Sequence, residues 1–195
     1  MKFMRRSDGP GTWGFAAGAL VCCALGWFAF VRGTNVPVLA LVDLGFHELG
    51  HLLTYVFPDV VTAIMGSVVQ VAVPWGLAAY FFLVRRDALG GVFCLAWAGT
   101  SAQNVSVYIA DAPWEQLQLI GGSHDWAYLL GPDAFDVMHR AGDIAAAVRT
   151  VGLVMLLNAL AICVVGLLLN SVSRSTAVGA FSPPSRSGQS RATGN

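Results

Sequence analysis

Charge is what this chain has least of. Charged residues make up 11% of its 195 residues, against roughly 25% in soluble globular domains. Its basic and acidic residues cancel to a net charge of zero. No polyanion-binding face is implied, and nucleic acid is excluded as a partner. Glutamate is scarcer still, at positions 48 and 115 alone. The four cysteines, Cys22, Cys23, Cys94 and Cys163, all sit inside apolar runs. None has a CxxC spacing, so neither a disulfide framework nor a thiolate zinc site is expected. The chain has no internal repeat. No small-x-small cleavage site follows its first apolar run, which is therefore read as an uncleaved anchor.

Apolar sequence fills the space that charge leaves. Hydrophobic residues reach 56% and the mean hydropathy is +0.65. The expected class is all-α: a polytopic membrane helix bundle, a multi-pass protein of the cell membrane with the lipid bilayer as its surroundings. About five transmembrane helices are predicted, over Trp13 to Val31, Val36 to Phe57, Val60 to Val84, Leu89 to Ala110 and Ile144 to Leu169. The third is interrupted by Gly66, Ser67, Gln70 and Pro74, which predicts a kinked span or a re-entrant piece. Residues 1–12 read as a lead, 13–170 as one transmembrane domain and 171–195 as a disordered tail. The long polar connection from Asp111 to Gly142 carries Trp114, Trp126 and Tyr128, residues suited to a membrane interface. Its stretch from Pro132 to Gly142 is expected to form a short surface helix, which would also carry His139.

Within the second apolar run lies His47-Glu48-Leu49-Gly50-His51. On a helix the two histidines project from one face and can hold a single ion, for which zinc is the expected cofactor. Glu48 can then reach a water at that ion. Ionisable groups are costly at membrane depth, so the cluster is read as functional. Asp43 stands one turn before His47. It either orients that ring through its N–H or lies at a helix end near the interface. Thr54 continues the polar stripe, and Gly45 and Gly50 would let a neighbouring helix approach closely.

A catalytic zinc takes three protein ligands, and this motif supplies two. Gly121-Gly122-Ser123-His124-Asp125-Trp126 is the best source of a third, because two glycines allow a sharp turn before two ligand types. Either His124 or Asp125 could bind, or both could merely decorate an interfacial loop. If the spans alternate, the C-terminal ends of the second and fourth emerge on the same side, within reach of this loop. On the fourth span, Gln103 and Asn104 could hydrogen-bond a substrate or an oxyanion, or hold helices together.

Phe46-His47-Glu48-Leu49-Gly50-His51-Leu52 resembles the active-site segment of the site-2 protease family of intramembrane zinc metalloproteases. It is also similar to short bacterial membrane proteins that carry HExxH and a later His-Asp-Trp. The first resemblance implies that His47 and His51 bind zinc and that Glu48 is the general acid/base. It also implies a distant aspartate as third ligand, which the family carries in an Asn-Pro-Asp-Gly or Leu-Asp-Gly sequence. This chain has neither, and Asp125 is the nearest substitute by type. The expected function is a membrane-embedded zinc-dependent peptidase acting on membrane or membrane-associated proteins. The alternatives are a non-enzymatic metal-binding membrane protein, such as a sensor or transporter, and a scaffold in which the motif is incidental.

Overall fold

The computed structural model describes residues 10–119 and 123–180, with side chains to residue 173. Among these residues the regular structure is entirely helical. Helix α1 covers Thr12–Gly26, and a π-helical turn, Trp27–Val31, extends it. Gly33, at φ +62°, ends this first rod by supplying the left-handed conformation that other residues resist. Helix α2, Leu39–Thr54, follows a tight turn at Val38. There φ is +68°, a costly value for a β-branched residue, and the Leu39 N–H reaches back to the Pro37 carbonyl at 2.8 Å.

Helix α3 spans Asp59–Tyr80 and continues as a π-helical turn through Arg85. It is one unbroken helix with Pro74 inside it. The predicted re-entrant piece is thus corrected. Proline removes one backbone donor, but neighbouring helices bury Pro74 completely and support the rod on either side. Helix α4, Ala88–Asp111, starts where the Asp87 carboxylate accepts the N–H groups of Leu89 and Gly90, each at 3.1 Å.

Helix α5 is the short Asp125–Leu130, and α6 is the long Ala141–Ala180, entered through a 3-10 turn at Met138–Arg140. The surface helix expected over 132–142 shrinks to that turn, where His139 is exposed. Helix α6 also continues through Ala180, so the first part of the segment read as a disordered tail is helical. Propagating an existing helix needs no new nucleus, and the Ser171 and Ser173 hydroxyls bond carbonyls one turn back. The remainder of that tail, and most of the N-terminal lead, lie outside the described residues.

Among the described residues three helical rods are long and apolar enough to cross a membrane: Thr12–Val31, Asp59–Arg85 and Met138–Ser173. Large apolar side chains such as Trp13, Leu20, Leu41, Leu52, Leu83 and Leu168 point outward, as a lipid-facing surface requires. The main core joins α1, α4 and α6 through Phe15, Cys22, Leu25, Val92, Ala96, Leu156, Ala159 and Cys163. A smaller cluster of Val105, Ile109, Ala112, Leu130, Ala141 and Ala145 seats α5 against α4 and α6. Helix α2 packs mainly on α3 and scarcely on α4.

Candidate metal centre

The α2–α3 contact determines where the histidines point. A side chain at Gly50 would collide with the Met65 carbonyl oxygen, so the two backbones touch there. Gly45, by contrast, has nothing within 4 Å of where a Cβ would stand, which corrects its expected role in helix contact. With α3 this close, His51 Nδ1 donates to the Thr62 carbonyl at 2.8 Å. The Thr62 hydroxyl also donates to the Thr54 carbonyl at 2.8 Å, clamping the end of α2. A carbonyl only accepts, so a neutral His51 carries its proton on Nδ1 and presents the Nε2 lone pair.

His47 is held in the same sense. Its Nδ1 faces Gln70 Oε1 at 3.2 Å. The Gln70 amide group donates to Asn104 Oδ1 at 3.0 Å, and Asn104 donates to Asn35 Oδ1 at 2.7 Å. These amide orientations are the ones that satisfy the whole row. They leave Gln70 Oε1 as acceptor for the His47 Nδ1–H, so that a neutral His47 also presents its Nε2 lone pair.

Both free nitrogens face one carboxylate oxygen. Asp125 Oδ2 lies 3.0 Å from His47 Nε2 and 3.2 Å from His51 Nε2. With both imidazoles neutral, three acceptors converge in this part-buried site and repel one another unless a cation joins them. Their ligand atoms all lie within 4.8 Å of one another. Two ligand atoms on one tetrahedral zinc stand about 3.3 Å apart, given metal–ligand distances of about 2.0–2.1 Å. The donor set therefore fits zinc in type and spacing.

Gly66 on α3 supplies independent support for that fit. A Cβ there would lie 2.7 Å from His51 Nε2 and 2.8 Å from His47 Nε2. Its missing side chain leaves a cradle beside both nitrogens. His47, His51 and Asp125 also line a cavity of about 710 Å³, together with Glu48, Tyr108, Asn104 and Asn35. Glu48 is exposed toward this space. It stands outside the convergent set and is free to face a water.

Several sequence expectations are corrected. Asp43 does not orient His47. It faces α4, where Oδ1 accepts from Trp97 Nε1 at 2.8 Å and from the Ser101 hydroxyl at 2.7 Å. One helical turn places Asp43 on roughly the face of His47, but the residual angular drift turns it to a different neighbour; Gln70 takes the orienting place. His124 is not in the convergent set either. Its Nδ1 accepts the Ala127 N–H at 3.1 Å, capping α5, and its Nε2 turns to Asp111. Asp125 is the first residue of that short helix rather than part of a tight turn, and Gly121 and Gly122 lie outside the described residues. Trp126 is pinned under α5 by a 3.0 Å bond to the Ser67 hydroxyl.

Asn104 serves both as a link between helices and as cavity lining. Gln103 is buried and turned toward Ser106. Sequence reasoning missed Thr62, Gly66, Gln70 and Tyr108 as parts of the site. Gly66 and Gln70 did leave a trace, as polar or small breaks in an apolar run, whereas nothing set Tyr108 apart. Comparison with known proteins gives no match to a family model, to a curated protein or to a solved structure.

Proposed function

We propose that this chain is a membrane-embedded zinc-dependent peptidase hydrolysing membrane or membrane-associated proteins. The observation that carries the reading is the convergence of His47, His51 and Asp125 beside Glu48 in one open cavity. Zinc held by those three residues would supply Lewis acidity, lowering the pKa of a water and polarising a peptide carbonyl. Glu48 takes the proton of that water and later delivers it to the leaving nitrogen. Thr62 and Gln70 keep both imidazoles in the tautomer that presents Nε2. Helices α2 and α4 cross the bilayer with the three long rods, making five spans. The outward Leu41, Leu49, Leu52 and Leu53 of α2 support its place among them.

Glu48→Gln tests the mechanism in purified protein with a membrane-protein substrate. Zinc content should stay stoichiometric while hydrolysis falls by about 10²–10⁴-fold, the usual worth of a positioned acid/base. Unchanged hydrolysis would reject the assignment. A second reading, a zinc transporter or sensor, is favoured by the row Gln70–Asn104–Asn35, which runs from the ligands to an exposed residue. Zinc entry into protein-containing vesicles, lost in His47→Ala and accompanied by no proteolysis, would establish it.

A further inference from the structure

Asp125 comes from a helix of only 6 residues, far too short to hold its own position. Something outside it must place its carboxylate. We propose that Tyr108, the buried His124 and its part-buried partner Asp111 are positioning residues that lock Asp125 as the third metal ligand. The inference rests on the metal-site reading above.

The Tyr108 hydroxyl touches Asp125 twice. It accepts the Asp125 backbone N–H at 3.0 Å and donates to Oδ2 at 3.3 Å. Oδ2 is the same oxygen that faces both histidines. One hydroxyl therefore sets the main chain of the ligand and the rotation of its carboxylate together. A group that holds a ligand at both ends reduces the ordering cost of binding an ion.

Tyr108 is itself held from behind. The His124 ring stacks on it, with centroids 4.3 Å apart and planes 30° apart. Because His124 Nδ1 accepts a backbone N–H, its proton lies on Nε2. That nitrogen is buried and faces Asp111 Oδ2 at 3.4 Å. The alignment falls short of a hydrogen bond, since Nε2 counts as unpartnered among the buried polar atoms; the contact is electrostatic. Asp111 accepts the N–H groups of Gln116 at 3.1 Å and Leu117 at 3.0 Å, which fixes the chain leaving α4.

Tyr108 and Asp111 stand three residues apart on α4, on one face of the most deeply buried helix. Contacts thus run from Asp111 through His124 and Tyr108 to Asp125, with α4 as the frame of reference. The sequence offered His124 as a ligand; this arrangement gives it the task of holding one.

The test uses the full chain in detergent. Zinc affinity is measured by competition with a chelator, and ligand geometry by the visible absorption of the cobalt(II)-loaded protein. Tyr108→Phe keeps the stacked ring and removes only the hydroxyl. It should lower zinc affinity about 10–100-fold, the usual effect of an outer-shell change. The cobalt spectrum should also change, while the Tm of the metal-free protein stays the same. His124→Asn retains a good capping residue but loses the stack, and should give a smaller loss of affinity. Wild-type zinc affinity and cobalt spectrum in Tyr108→Phe would overturn the inference and leave the metal site standing. A parallel fall in metal-free Tm would assign Tyr108 a general packing role and overturn it as well. Failure of the wild-type chain to bind stoichiometric zinc would instead remove the metal reading first, and this inference with it.

Discussion

The two sides of this bundle are built on opposite principles. Helices α1, α4 and α6 meet through an apolar core and close glycine contacts. Each Cβ added at Gly99 or Gly152 would meet the other's carbonyl oxygen at 2.6 Å, and one at Gly18 would meet Cys163 Sγ at 2.9 Å. In an apolar solvent, such close backbone approach supplies the packing that a hydrophobic driving force cannot. Helices α2, α3 and α5 meet through polar side chains instead: His47 on Gln70, His51 on Thr62, Trp126 on Ser67. Glycine recurs on that side with a different use. Gly66 leaves room beside two imidazoles, and only Gly50 closes a helix contact. The same residue type thus excludes space on one side and reserves it on the other.

Substitution can break this contrast, and the largest effect is expected at Gly66. Gly66→Ala puts a methyl group beside both Nε2 atoms. Zinc affinity should fall by more than about 100-fold, beyond the range of an outer-shell change. Retained tight binding, measured by chelator competition, would show that the cradle is not where the ion sits.

Gln70→Leu comes next. It removes the acceptor for His47 Nδ1 and should weaken zinc binding about 10–100-fold, with little change in helix content by circular dichroism. If Asp43→Asn produced that loss instead, the corrected orientation of His47 would be wrong.

Gly99→Ala belongs to the other side. The added methyl forces α4 from α6 and should cost about 1–3 kcal/mol of stability, read from denaturation in detergent. Zinc affinity should not move. A shift in both would mean that the two sides respond as one rigid unit. Gly45→Ala should have the smallest effect, a stabilisation of about 0.5–1 kcal/mol, because its Cβ meets nothing and helix propensity improves.

Much of the fold was legible because apolar runs of membrane-crossing length leave few alternatives to helices. Among the described residues three rods meet that standard, against the about five spans expected. The histidine pair was legible for a similar reason, since a spacing of four on any helix puts both rings on one face. The partners of that face were not. Asp43 has the spacing to orient His47, yet it bonds Trp97 and Ser101, because spacing says nothing of which helix lies opposite. Tyr108 gave no sign at all, for its role depends on a stack and two bonds to a residue in another element.

The sequence by itself determined an apolar helical chain with His47, Glu48 and His51 on one helix, and offered His124 or Asp125 as the best source of a third partner. Helical period, span length and the cost of buried charge suffice for that. Only the tertiary structure brought Asp125 rather than His124 beside the histidine pair, turned Asp43 away, brought in Gln70 and Thr62, and put Gly66 against the imidazoles. Those outcomes depend on which helix faces which and at what height. Packing across the bundle sets both, and a local repeat carries no record of either.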